Sequence, residues 1–324
     1  MGWRQRYWQA REEATGALKR VRSRIRPLLI PLAQRGNAGV YAIELEARVG
    51  FFAQMNWLLY ILRHCEQRGL RPRICFSSPW YRDPAQGANW LAYHFEARTP
   101  GLWLEPDAGP RPLRISRAEE LDELGLPRRV FAGLTLEEAS LILGRHLEPV
   151  PAVTGLVDGF VAGHFEPGAT LGVHYRATDK GSEARVPTAD EMLAAIRAHL
   201  EAHPHYRRIY LASDDGHFVD RAQAELGGVP VIVREGEIRS RDGRAVHTRA
   251  DGETNLQKGR EALVNCLLLA RCDGLLRTAS FLSGWASVFN PGLPVRLLNP
   301  PHAHANWFPD RSIVERGDGV AAGR

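Results

Sequence analysis

Hydrophobic positions recur along this chain with two periods, two residues and three to four residues, and the segments carrying them take turns. "GVYAIEL" alternates and predicts a strand over 39–45. "GFFAQMNWLLYILRHCEQRG" repeats at helical spacing, with Trp57, Leu58, Ile61 and Leu62 on one stripe and Gly69 as a C-terminal stop. "RPRICF" predicts a second short strand. Residues 77–130, rich in Pro, Gly and Trp, show no clean period and predict long loops with short helices. "TLEEASLILGRHL" predicts a helix opened by Thr135, with Glu138 three positions on. From about 165 the alternation sharpens. Strands are predicted over 170–176, 208–212, 229–233, 274–277 and 294–298, helices over 189–202, 216–226, 259–271 and 280–288, and a polar loop over 234–258. Strand–helix alternation of this kind predicts an α/β chain with a doubly wound parallel sheet, preceded by a second α/β half.

Size and composition agree with that picture. A chain of 324 residues with 44% hydrophobic and 24% charged residues is long enough for two domains of about 150 residues each. No apolar run reaches the roughly 18 residues of a membrane span, and the first residues, "MGWRQRYWQAREEATG", lack the apolar stretch of a secretory signal, so the expected location is the cytoplasm. Cys65, Cys75, Cys266 and Cys272 lie in apolar segments without metal-ligand spacing and read as free buried thiols. The formal charge of +5 is local: residues 1–30 hold eight Lys and Arg against two Glu, leaving 34 basic against 35 acidic residues in the rest. A nucleic-acid groove would need positive charge spread over the body, so no nucleic-acid partner is expected. In "GALKRVRSRIRPLLIPL", Leu18, Val21, Ile25 and Leu28 recur at helical spacing between arginines. The pattern favours a helix docked by its apolar stripe; a weak contact with the inner face of an anionic membrane is the competing expectation.

The candidate chemistry falls on strand ends. In an open α/β sheet the ligand crevice lies beyond the carboxyl ends of the strands. "TLGVHYRATDK" places His174 and Arg176 on one face of a strand near its exit, "IYLASDD" ends in Ser213, Asp214 and Asp215, and "GLLRTASFLSGW" ends in Arg277, Thr278 and Ser280 where a helix begins. A guanidinium fork, hydroxyls and helix N–H groups suit a diphosphate. The chain has neither G-x-x-x-x-G-K-[ST] nor a G-x-G-x-x-G after its first strand, which weighs against phosphoryl transfer and dinucleotide chemistry. A diphosphate that departs fits better: transfer from a nucleotide sugar needs a cation, here Arg176, and a base for the acceptor hydroxyl, here Glu183 or Asp179. Plainer roles compete: Asp179 with Lys180 as a surface turn, Asp215 as a helix cap, His174 as a loop anchor. Adjacent aspartates at 214 and 215 point to opposite faces and make a poor metal cage, so no metal is expected.

"GVHYRATDKGSE", "IYLASDD" and "ALVNCLLLARCDGLLRTASF" together resemble the α-1,6-fucosyltransferases, the rhizobial nodulation-factor and N-glycan core enzymes, and more loosely the protein O-fucosyltransferase superfamily. The resemblance covers roughly 169–298, with a weaker match upstream in "VGFFAQMNWLLYILRHCEQRGLRPRICF". It implies a GT-B-like fold of two Rossmann-like doubly wound domains facing a central cleft, GDP-fucose as donor, inversion at the anomeric carbon, and neither cofactor nor metal. Carried over, Arg176 binds the β-phosphate, His174 contacts the nucleotide, Asp179 and Lys180 shape the site, and Glu183 is the acceptor base. Asp214 and Asp215 match a strand-end pair near the nucleotide; Thr278 and Ser280 fall on the donor's phosphate side. Two departures stand out: Glu183 is one residue nearer the His than the family's base, and Asn265, eight positions before Asp273, stands where an acid reading guanine is expected.

The resulting organisation is a basic amphipathic helix over 1–30, an acceptor-side α/β domain over 31–165, a nucleotide-sugar domain over 166–311 and a tail over 312–324. Trp80, Tyr81, Trp90 and Tyr93 are candidates both for stacking on acceptor sugars and for the core. The loop 234–258, with Arg239, Arg241, Arg244, His247 and Arg249, is either a lid over the donor or a solvated loop. The partners expected are a nucleotide sugar and a glycan acceptor. A non-catalytic nucleotide-sugar or glycan-binding protein, and a transferase using another nucleotide sugar, remain open alternatives.

Overall fold

The computed structural model describes residues 25, 39–105, 109–117, 120–121, 133–176, 183–243, 246 and 255–317. The amphipathic stretch predicted over 1–30 lies outside them except for Ile25, as do residues 318–324 of the tail.

The upstream half begins with β1 (Val40–Leu45), α1 (Phe51–Arg68) and β2 (Arg71–Phe76). The alternating strands pair in parallel, Val40 opposite Arg71 and Leu45 opposite Phe76. The helix stops where predicted because Gly69 takes a left-handed conformation, φ 62° and ψ 30°, and lets the Leu70 N–H reach back to the Cys65 carbonyl at 2.9 Å. The described part of the aperiodic stretch includes a 3₁₀ turn at Trp90–Tyr93, then β3 (Phe95–Ala97) and β4 (Leu113–Ile115). β4 adds to the free side of β1, giving a parallel order β2-β1-β4. Next come α2 (Leu136–His146), capped by the Thr135 hydroxyl accepting from the Glu138 N–H at 3.1 Å, and β5 (Leu147–Pro149), antiparallel to β3. The helix α3 (Pro151–His164) comes next, in a stretch where no element is predicted. Its three glycines at 155, 159 and 163 lower helix propensity, and only Val153 and Val157 are fully buried, so its period is faint.

The downstream half keeps closely to the predicted order: β6 (Thr170–Tyr175), α4 (Ala189–Ala202), β7 (Arg208–Ser213), α5 (Gly216–Glu225), β8 (Val231–Ile232), α6 (Asn255–Ala270), β9 (Gly274–Arg277), α7 (Phe281–Phe289) and β10 (Val295–Leu297). Thr188 and Glu191 form a reciprocal capping box at the start of α4. α6 begins four residues before the predicted start at 259, in its polar first turn. The five strands are all parallel in the order β10-β9-β6-β7-β8. That order reverses between β6 and β9, the topological switch point at which ligands of such sheets bind. A last helix, α8, spans Asp310–Glu315.

Period-two alternation splits the large sheet between two cores. Leu171, Val173, Ile209 and Leu211 pack with Met192, Ile196 and Phe218 on one face. On the other, Tyr210, Ala212 and Leu275 join α6 and α7 in an apolar cluster that continues through Phe51, Leu58 and Ile61 of α1, Ala139 and Ile142 of α2, and Ile43 and Leu45 of β1. One interior therefore serves both sheets. Burying such side chains contributes about 1.5–3 kcal/mol each. The four cysteines are free and buried, and burial pushes the Cys65 and Cys75 thiols up to about 12.

Candidate functional site

The exits of β6, β7 and β9 are stitched to one another by backbone and hydroxyl groups. The buried Thr278 hydroxyl accepts the Arg176 N–H at 3.0 Å, the Thr278 N–H donates to the His174 carbonyl at 3.0 Å, and the Ser213 hydroxyl donates to the Tyr175 carbonyl at 2.8 Å. These bonds fix where the chain leaves the sheet. Above them opens a cavity of about 480 Å³, within the range of ligand sites, roughly 300–1,000 Å³. His174, Arg176, Glu183, Asp214, Asn265 and Ser280 all line it, facing Phe51, Trp80 and Tyr81 of the upstream half.

Asp179 and Lys180 fall outside the described residues. Asp215 caps α5, its carboxylate accepting the His217 and Phe218 N–H groups at 2.9 and 3.2 Å. Thr278 lies beneath the cavity floor rather than on it. Arg277, at the same strand end, turns inward: it is 0% exposed, pairs with Asp310 at 2.6 Å, and donates to the Ser283 hydroxyl at 2.9 Å and the Ser280 carbonyl at 2.8 Å. It braces the start of α7 against α8. That start opens on the cavity through Ser280, Phe281 and Leu282. Ser280 is the N-cap residue but makes no side-chain cap bond, and a helix N-terminus carries partial positive charge.

Asn265 is engaged at both ends. Its oxygen accepts the buried Tyr210 hydroxyl at 2.7 Å and Arg234 at 3.4 Å, and its side chain hydrogen-bonds Glu237. Glu237, a cavity residue that the periodicity gave no means of finding, pairs with Arg234 at 2.9 Å and Arg239 at 2.7 Å. Burial raises its carboxyl above the ordinary range, against the pull of the two guanidiniums. The only hint in the sequence is the Arg–Glu–Arg spacing inside a loop otherwise read as solvated. Lys258, also buried, stands on the same wall. Arg241 of that loop pairs with Asp220 at 2.7 Å, whereas Arg244, His247 and Arg249 lie outside the described residues.

The aromatic candidates divide. Trp90 is fully buried against Phe51 and Phe76, and the Tyr93 hydroxyl donates to the Gly87 carbonyl at 2.6 Å. Tyr81 accepts the Phe51 N–H at 2.9 Å; burial pushes its hydroxyl up to about 12, with the positive charge of Arg176 opposing. Trp80 is partly exposed on the cavity wall. Among the described residues no group of three or more His, Cys, Asp or Glu is placed to hold a metal ion, and no helix is long and apolar enough to cross a membrane.

Solved structures share this α/β fold. The chain is similar to NodZ alpha-1,6-fucosyltransferase co-crystallised with GDP, with a TM-score of 0.52 and 17% identity over 80% of this chain and 95% of that one. It is similar to the fucosyltransferase NodZ from Bradyrhizobium, with a TM-score of 0.51 and 18% identity over 80% and 94%. A mutant of FUT1 from Arabidopsis thaliana in complex with GDP gives 0.50 and 13% over 84% and 73%. No protein-family model and no curated protein matches the sequence. At these identities the likeness is one of fold.

Proposed function

We propose that this protein is an inverting glycosyltransferase that moves fucose from GDP-fucose to a glycan hydroxyl. The observation carrying this reading is that Arg176, Glu183 and the start of α7 line one cavity at the switch point of the sheet, in a chain with the fold of proteins crystallised with GDP. The acceptor oxygen attacks the anomeric carbon, the bond from that carbon to the β-phosphate oxygen breaks, and its electron pair leaves with GDP. Arg176 and the α7 N–H groups take the charge growing on the diphosphate, a role this scheme assigns to protein groups. Glu183 removes the acceptor proton. His174 and Asp214 contact the nucleotide. Asp179 and Lys180, outside the described residues, are assigned to shaping the site. Asn265 acts on the base through Glu237, whose buried carboxylate accepts from the N–H edge of guanine. In this reading residues 31–165 serve the acceptor and 166–311 the donor, across one cleft of GT-B type.

A thermal-shift series with GDP, UDP, ADP and CMP tests the donor. GDP at a hundred times its dissociation constant adds about 2.7 kcal/mol of stability, and the other nucleotides fall short of it. Glu183→Gln then lowers turnover by about 10²–10⁴-fold while GDP affinity stays near that of the wild type. Equal stabilisation by all four nucleotides removes the base assignment, and unchanged turnover in Glu183→Gln removes the base catalyst. A protein that binds GDP yet never consumes GDP-fucose would be a binding protein.

A further inference from the structure

Beyond the donor cavity, one aromatic side chain is presented to solvent in a way the core does not explain. Among the described residues the large exposed hydrophobic side chains are Ile25, Leu141, Leu156 and Trp307, and Trp307 alone of these is aromatic. Its indole is 38% exposed, and one face lies on Phe281 at a centroid separation of 5.9 Å and an interplanar angle of 13°. Trp307 lines the donor cavity and also a small adjoining recess, whose walls include Glu183, Ser280, Phe281 and Pro301.

The backbone around the indole is held from both sides. Upstream, the His302 N–H donates to the Glu183 carbonyl at 2.8 Å, and the Asn299 side chain bridges the Ala279 N–H and the Arg185 carbonyl, each at 2.8 Å. Downstream, Phe308 is buried, its carbonyl accepts from Asn56 at 2.6 Å, and Asp310 holds Arg277. The segment that carries Trp307 is thus tied to Glu183 itself. An exposed indole on so fixed a mount has already lost the freedom that binding would otherwise remove, which favours association.

Resting on the glycosyl-transfer reading above, we infer that Trp307, backed by Phe281, is the platform on which a pyranose ring of the acceptor glycan stacks, directing its hydroxyl toward Glu183. The electron-rich ring face attracts the partly positive C–H groups on the apolar side of a sugar. The recess beside it leads to Glu183, so a sugar on the indole stands at the mouth where the base acts. Trp307 binds acceptor in this scheme and takes no part in bond breaking.

The full chain, with and without saturating GDP, is titrated calorimetrically with cellotetraose, chitotetraose, maltotetraose and lacto-N-tetraose. The wild type binds at least one of them, Trp307→Ala binds it about tenfold more weakly, about 1.4 kcal/mol, and Trp307→Phe recovers most of the loss. Thermal stability is the same in all three proteins. Wild type that binds none of the four glycans, or Trp307→Ala that binds them as wild type does, overturns the platform. The GDP titration reads separately: glycan binding that depends on Trp307 in a protein that ignores GDP keeps the platform and removes the donor reading.

Discussion

Arg176 and Arg277 leave neighbouring strands of one sheet, with His174 directly opposite Arg277 in the register, and meet opposite surroundings. Arg176 lines the cavity and keeps part of its surface in solvent, whereas Arg277 is sealed in the interior against Asp310. The difference arises from the course of the chain after each strand. Beyond β9 it enters α7 within four residues, and α8 returns beneath it with an acid. Beyond β6, Arg176 itself already stands on the wall of the cavity, as does Glu183. A buried charge persists only with a partner and satisfied hydrogen bonds, while a charge meant for a ligand must stay where a ligand can come. A strand-end arginine in a sequence therefore identifies a region, and the next element decides its role.

The sharpest way to break the comparison is Arg277→Ala, which strands the Asp310 carboxylate in the interior and costs about 3–5 kcal/mol in denaturant unfolding. Replacing both partners by apolar residues, Arg277→Met with Asp310→Leu, recovers much of that loss. A single variant as stable as wild type would show the pair to be dispensable. Arg176→Ala is expected to do the reverse, lowering turnover by about 10²–10³-fold, about 2.7–4 kcal/mol, with an unchanged Tm. A melting temperature that falls as far as in the Arg277 variant would erase the distinction. The smallest effect belongs to Thr278→Val, which removes the acceptor of the Arg176 N–H at a cost of about 1 kcal/mol in stability. If Thr278 positions the arginine, GDP affinity falls with it, and titration against GDP checks this.

Most of the large sheet was legible because β6 and β7 are six-residue strands and the helices that alternate with its strands include ones opened by recognisable caps, such as Thr188 with Glu191 and Asp215 ahead of α5. The sequence pointed to strand exits as the crevice, the strand order and its switch point came with the structure, and His174, Arg176, Ser213, Asp214 and Ser280, all named from strand ends, line one cavity. The elements that escaped are short or set by distant parts of the chain. β3 and β5 have three residues each and gain stability only by pairing across fifty positions. α3 announced itself only by the proline at its first turn. Glu237 and Trp307 sit in loops, where a side chain's direction depends on residues far away in sequence; Glu237 is set by Asn265 and two arginines, Trp307 by Phe281. Arg277 and Arg176 read alike until α8 was in place.

The apolar cluster running from β1 and α1 into α6 and α7 has a consequence for anyone wishing to redesign what this protein recognises. Exchanging everything upstream of residue 165 for the equivalent part of another protein of this fold would replace one side of a packed interior, so the transplanted piece would have to match Leu263, Val264 and Trp285 in shape as well as bring its own specificity. Modular grafting is ill suited to such a molecule. Changes confined to the rim, where side chains such as Trp80 and Trp307 meet solvent, leave that shared interior intact and are the natural place to begin.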